Sequence, residues 1–391
     1  MSKILVASQI READLQTMKS EPIKSIDLME RAASSCFHWI RSNRFNDQIV
    51  RIFCGPGNNG GDGIALARML SQTGLSVHAY LFGHLDSRSA DLSENLKRLK
   101  DYPSILLKEV TDISSLPVAG SGELWIDALF GTGITRRLSG IYASAIERIN
   151  ASGADVISID LPSGLEADKI PSISDPVVFA KDTLSFHAPK LSFFFPESGV
   201  YVGRWHILDI GLDRQFITSI ESDYWSFDES EVEKRFHVRQ RFSHKGTYGH
   251  GLLIAGGKGK YGAAVLSAKA TLRTGIGLLT VAAPSDGEHI LQTSVPEAMY
   301  QTSKKEIYFE NYDAVGFGPG CGTDSSAHEI LFRLLSSHHG PVVIDADGLN
   351  ILSNERAWME RLPENCILTP HPKEFERMTK PVTDDLERMY H

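Results

Sequence analysis

Twice along this chain, short β-rich apolar runs alternate with helix-patterned segments, and a glycine loop follows the first run of each series. In the first series VRIFC (50–54) leads into the helix-like IALARMLSQTG. SVHAYLF (76–82) precedes a polar helix around Asp91 to Lys100, LWIDALF (124–130) precedes IYASAIERIN, and DVISIDL (155–161) ends in Pro-Ser-Gly. Strands separated by helices imply βαβ units and a parallel sheet with helices on both faces. Before the first strand, Ile26, Met29, Ala33 and Phe37 fall at helical spacing, which predicts a packing helix over 25–37. The second series comprises GLLIAGG (251–257), GLLTVAAP (277–284), YDAVGFGPG (312–320), PVVIDADG (341–348) and CILTPHP (366–372). Its near-continuous apolar runs suit strands covered on both faces.

A chain of 391 residues exceeds one ordinary core. Residues 219–237 are acidic, polar and free of glycine, so the boundary is drawn between 1–220 and 221–391. The formal charge of −9 disfavours non-specific binding to nucleic acid or anionic membrane. No apolar run is long enough to span a bilayer, and the opening lacks a signal-peptide pattern. The four cysteines are far apart with no CxxC pair, which reads as reduced thiols in a cytoplasmic protein.

The loop Cys54-Gly55-Pro56-Gly57-Asn58-Asn59-Gly60-Gly61-Asp62-Gly63 fits GxGxxG and opens a helix, where backbone N–H groups can meet a phosphate. The acid expected at the end of the second strand of an ordinary dinucleotide fold is missing, which weakens a simple oxidoreductase. Asn58, Asn59 and Asp62 could orient a polar ligand or bind a cation; the plain alternative is a glycine turn with Asp62 as a helix cap. Asp127-Ala128-Leu129-Phe130-Gly131-Thr132-Gly133-Ile134-Thr135-Arg136-Arg137 is a second strand running into a glycine loop, with arginines placed to grip phosphate or simply solvated. Asp160 is the first polar residue to emerge after Ile159, at the sheet edge where ligands bind, and could act as acid or base. Together these strand ends predict one crevice, in which Asn59, Asp127 and Ser163 could offer hard oxygen ligands to an alkali cation.

The three segments GPGNNGGDG, DALFGTGITRR and IDLPSGL, with SQIREAD, SIDLMERAA, HAPK (187–190) and VGRWHILDIGL (202–212), resemble the NAD(P)H-hydrate epimerase family over nearly all of residues 1–215. The resemblance implies a Rossmann-like three-layer sandwich that interconverts R and S hydrates of NADH or NADPH. It implies that Asn58, Asn59, Gly60, Gly61 and Asp62 contact the hydrated nucleotide, as do Gly131, Thr132, Gly133, Ile134, Thr135, Arg136 and Arg137. Asp160 lies at the hydrated ring as the catalytic acid/base, and Asn59, Asp127 and Ser163 form a K⁺ site. A homodimer through this module is also implied.

The second series, with RFSHKGTYGH (241–250), GKGKYGAAVLSAKATLRTGIG, GFGPGCG, VVIDADGLN and LTPHPKEF, is similar to the ribokinase-like NAD(P)H-hydrate dehydratases. Those enzymes phosphorylate the S hydrate with ADP or ATP and Mg²⁺ and then eliminate phosphate. By this likeness Ala263, Ala264, Gly320 and His371 touch the hydrate, and Asp345, Asp347 and Asn350 lie near phosphoryl transfer. A Lys-Gly stretch and a GGSGD-type segment with the family's catalytic aspartate do not occur; HPKEFERM is followed by TKPVTDDLERMYH. The module is therefore expected to be C-terminally incomplete, with apolar sheet left uncovered, and these 391 residues are expected to lack dehydratase activity. Two other readings compete: a ribokinase-like small-molecule kinase, which needs the same aspartate, and a non-catalytic scaffold built on an epimerase-like domain. Retention of Asn59, Asp62, Asp127 and Asp160 argues against the scaffold.

Overall fold

The computed structural model describes residues 2–44, 49–118, 122–236 and 238–391. The chain divides into two compact units. One holds the described residues up to Phe236 with Asp384–Tyr390; the other holds the described residues between, through Thr383.

The first unit opens with β1 (Ser2–Ile4), α1 (Ala7–Ser20) and α2 (Ser25–Arg44). The alternating series follows: β2 (Val50–Cys54), α3 (Asn58–Ser71), β3 (Val77–Phe82), α4 (Ala90–Leu99), β4 (Leu106–Val110), β5 (Leu124–Ala128), α5 (Ile141–Asn150) and β6 (Asp155–Ile159). Then come β7 (Asp182–Phe186), α6 (Pro196–Val202), β8 (Arg204–Leu208), α7 (Arg214–Ser219), β9 (Tyr224–Ser226) and α8 (Glu229–Arg235). A parallel sheet forms in the order β4-β3-β2-β5-β6-β7-β8. Alternate side chains sort to two cores. Ile52, Cys54 and Ile126 pack with Cys36, Ile40, Ile64 and Leu66 on one face, while Phe53, Tyr80 and Trp125 pack with Ile146 and Ile149 on the other. The result is the predicted three-layer arrangement. Its switch point lies between β2 and β5, where the winding direction reverses and a crevice opens at the strands' carboxyl ends.

Three strands escape hydrophobic periodicity. Strand β4 is an edge whose Leu106 and Leu107 are exposed. Strand β7 buries Asp182, Thr183 and Ser185. Their polar groups are met by Arg44, Arg204 and His206 around Asp182, by the Val202 carbonyl and by the Ala188 carbonyl. In β8 the two tryptophan-side positions Trp205 and Ile207 remain partly open to solvent. The predicted runs 124–130 and 155–161 also end early, at Ala128 and Ile159, because the chain turns where Asp127 takes the Leu129 N–H and Asp160 adopts φ 65°. The boundary drawn from composition at 220–221 precedes β9, which pairs antiparallel with β1, so that segment packs with the first unit.

The second unit contains β10 (His250–Ile254), α9 (Tyr261–Arg273), β11 (Leu278–Ala283), α10 (Glu288–Ser294), β12 (Met299–Thr302), β13 (Ala314–Phe317), α11 (Ser325–Ser337), β14 (Val342–Ile344), α12 (Asp347–Asn354), β15 (Cys366–Leu368) and α13 (Pro372–Met378). The short helix α14 (Asp385–Met389) belongs to the first unit. The strands form a parallel sheet in the order β12-β11-β10-β13-β14-β15. One face packs Leu252, Ile254, Val315, Phe317 and Ile344 against α11 and α12. The opposite face packs Leu253, Val281 and Ala283 against α9 and α10, but at β14 and β15 it leaves Val343 39% and Ile367 58% exposed. Among the described residues no helix is long and apolar enough to cross a membrane.

Candidate active site

A cleft of about 450 Å³ lies at the switch point of the first unit, lined by Asn58, Asn59, Asp62, Gly131, Thr132 and Asp160 among others. Its glycines do two different jobs. A Cβ at Gly55 would stand 1.8 Å from the Leu129 carbonyl oxygen, and one at Gly60 would stand 1.8 Å from that of Gly55. Those two positions let backbone segments close on one another rather than admit a phosphate. Gly57 and Gly133 face open space, so they leave room beside the α3 N-terminus for a ligand.

Asp160 is buried, with a left-handed backbone that a short polar side chain tolerates better than most. Its N–H bonds the Leu184 carbonyl across to β7, while the side chain turns into the cleft. One carboxylate oxygen lies 2.9 Å from Lys190 Nζ; the other accepts the Thr132 N–H at 3.2 Å. A Cβ at Gly131 would approach that second oxygen to 2.8 Å, so glycine is required beside it. Lys190 is fully buried and also donates to the Phe186 and Ala188 carbonyls. The pair sets a buried ammonium against the Asp160 carboxylate, at the place where a general base would stand. Lys190 stood in the HAPK stretch, but nothing in its spacing tied it to Asp160.

Asp127 and Ser163 do not line the cleft; they have no exposed surface and accept the N–H groups of Leu129 and Phe130, which do line it. The Asp127 carboxylate accepts from Ser158 Oγ, Ser163 N, Ser163 Oγ and Leu129 N. Burial raises its pKa and these hydrogen bonds oppose the rise. Asn59 lines the cleft beside Gly131, and neither its amide oxygen nor its amide nitrogen, both buried, has a hydrogen-bond partner. A buried amide left in that condition is costly and marks a place where a ligand belongs.

Two more carboxylates share the cleft. Asp62 is buried, and burial followed by the nearby charge of Asp160 holds it well above the usual range. Asp14 of α1 lines both this cleft and an adjoining one of about 370 Å³. Burial and the charge of Asp160 push Asp14 up to about 6, with Lys190 pulling the other way. Asp14 lay in SQIREAD, and no motif spacing singled it out.

The loop after Ile134 parts from the cleft. Thr135, Arg136 and Arg137 are exposed, and Arg137 is tied to the Ser174 carbonyl and the Asp175 carboxylate at 3.1 Å. Arg136 and Arg137 line a separate small cavity with Glu166 and Lys169.

In the second unit Gly320 has φ 70°, and a Cβ there would stand 3.0 Å from the Lys260 carbonyl oxygen and 3.2 Å from the Ala263 methyl. Ala264 is buried on the core side of α9. Asp347 accepts the Gly322 N–H at 2.9 Å and pairs with Lys260 at 3.2 Å, bringing the loops after β10, β13 and β14 together. Asp345 precedes Ala346, which has φ 49°, and its carbonyl closes on Gly318. Asn350 accepts from Arg377, and His371 caps α13 by accepting the Glu374 N–H while its ring stays largely exposed.

Residues 25–192 match the family model for the YjeF-related protein N-terminus, and residues 251–390 match the model for NAD(P)H-hydrate dehydratase. The bifunctional NAD(P)H-hydrate repair enzyme Nnr of Coxiella burnetii is 32% identical over 97% of this chain and 76% of its own length. That of Moorella thermoacetica is 30% identical over 96% of this chain and 74% of its own. The chain thus spans about three quarters of the length of these curated relatives. An ADP/ATP-dependent NAD(P)H-hydrate dehydratase from Bacillus subtilis, co-crystallised with ATP and Mg²⁺, is 31% identical, covering 39% of this chain and 55% of that one at a TM-score of 0.33. With both regions matched and these relatives aligned over nearly all of its length, the chain belongs to the family of bifunctional NAD(P)H-hydrate repair enzymes.

Proposed function

We propose that this chain repairs hydrated nicotinamide nucleotides, with epimerisation of R and S hydrates of NAD(P)H in the first unit and dehydration of the S hydrate in the second. The observation that carries the first assignment is the buried Lys190–Asp160 pair beside an unpartnered Asn59 amide at the sheet's switch point. Asp160, paired with Lys190, handles the proton at the hydroxyl-bearing ring carbon. Asn58 to Asp62 and Gly131 to Ile134 hold the nucleotide along the open faces of Gly57 and Gly133. For Arg137 to reach a phosphate it must leave Ser174 and Asp175, so its part requires movement of that loop.

Asn59, Asp127 and Ser163 are the proposed K⁺ ligands. The orphaned Asn59 oxygen fits a hard monovalent cation, and the buried Asp127 carboxylate is the proposed source of compensating negative charge. When bound, K⁺ organises the loops around the cleft. In the second unit Ala263, Ala264, Gly320 and His371 are the proposed hydrate contacts. Asp345, Asp347 and Asn350 form the proposed phosphoryl-transfer side, where one or two carboxylates are what Mg²⁺ with ADP or ATP needs from a protein.

The test is direct. Pure R hydrate mixed with the protein is expected to yield S hydrate by chromatography, and Asp160→Asn is expected to lower kcat about a thousandfold. No interconversion by the wild-type protein sinks the epimerase reading.

A further inference from the structure

The cleft holds more acid than its positive charge can balance. Asp14, Asp62 and Asp160 all line it, while the buried cation is Lys190, spent on Asp160 at 2.9 Å. From α1, Arg11 also lines the cleft but is exposed to solvent. The neighbouring Cys36 thiol is buried, and burial with Asp62 and Asp160 keeps it protonated. From α2 and α4, Glu30 and Asp91 add further negative charge against Asp62. Like charges crowded in a low-dielectric site resist ionising together, so Asp62 and Asp14 give up their protons at higher pH than an ordinary aspartate. Asp14 is placed to use one. It stands on the wall between the two adjoining cavities, whose shared lining is Arg11, Asp14, Asn58, Asp62 and Phe186. The unpartnered, nine-tenths buried Asn59 amide lines the same cleft and marks it as a ligand site.

We propose that Asp14 is a second proton-handling carboxylate of the epimerase site, working as the protonated counterpart of Asp160. The proposal rests on the epimerase reading. The chemistry balances with two carboxyls and one water. As the ring nitrogen's lone pair forms a C=N bond, the C–O bond of the hydrate breaks and protonated Asp14 gives its proton to the departing oxygen, which leaves as water. Water then adds to the carbon from the other side, the C=N electron pair returns to nitrogen, and the added water passes a proton to Asp160. The proton has moved from one carboxyl to the other. The reverse conversion uses the same groups with their roles exchanged.

Because kcat/KM reports the free enzyme, its value for the wild-type protein is expected to fall as pH rises through about 6, where Asp14 loses its proton. Asp14→Asn cannot donate in this way. It is expected to lower kcat about a hundredfold with KM changed little and to lack that pH limb, while Asp14→Glu recovers most of the loss. Asp14→Asn with kcat within about twofold of wild type and an unchanged pH profile overturns the proposal while leaving the epimerase reading intact. Should Asp14→Asn fold poorly, carbon-13 NMR of the wild-type Asp14 carboxyl decides. A midpoint near 6 supports the proposal, and one near an ordinary aspartate's overturns it. Absence of R–S interconversion by the wild-type protein removes both readings together.

Discussion

The two units use the same vocabulary to different effect. Each is a parallel sheet whose glycine loops gather at the strands' carboxyl ends, and each sets a lysine against an aspartate there. Lys190 and Asp160 meet at 2.9 Å with side chains 0% and 11% exposed; Lys260 and Asp347 meet at 3.2 Å with 58% and 16%. In the first unit the five inner strands, β3, β2, β5, β6 and β7, are covered on both faces and the charged pair lies under that cover. In the second the sheet's far end is covered on one face, Val343 and Ile367 stay open, and His371 serves as a helix cap. Burial, more than residue type, separates a pair that can hold a charge for catalysis from one that water can screen.

The sharpest break of this comparison is an assay. Incubated with S hydrate, Mg²⁺ and ADP or ATP, the protein is expected to give a rise at 340 nm that is lost when Asp345→Asn and Asp347→Asn are combined. A rise that survives in the combined variant removes both carboxylates from phosphoryl transfer, and no rise from the wild-type protein removes the dehydration reading. Next in size is a matched pair of substitutions. Lys190→Met strands the Asp160 carboxylate and two carbonyls, and is expected to cost about 3–5 kcal/mol in urea denaturation at neutral pH. Lys260→Met removes an exposed partner and is expected to cost under about 1 kcal/mol. Equal costs would erase the distinction drawn here. Smallest is His371→Ala, expected to cost about 0.5 kcal/mol by the same measurement, as loss of a weak helix cap. A much larger cost would mean that the ring supports more than the first turn of α13.

Much of the first unit is legible in the sequence. Period and punctuation placed β2, β3, β5 and β6, and the emergence of Asp160 after three buried apolar positions put an acid at the sheet's edge. The failures share a cause. Strand β7 was invisible because its buried Asp182, Thr183 and Ser185 find partners far along the chain, which periodicity cannot register. The arginines of GITRR read equally as phosphate ligands or as solvated side chains, and the spacing could not register that Arg137 is engaged by Ser174 and Asp175, more than thirty positions downstream. The glycines of the first loop were read as room for phosphate, and two of them instead make room for neighbouring carbonyls.

Residue order was enough to establish the α/β class, the two-unit organisation and the family resemblance, because strand–helix alternation and glycine turns are local features of the chain. The pairing of Lys190 with Asp160, the orphaned amide of Asn59 and the arrival of Asp14 in the cleft needed folding in three dimensions. Each depends on bringing together residues from distant segments and on shutting water out around them, and neither closeness in space nor loss of solvent is written in the spacing of letters.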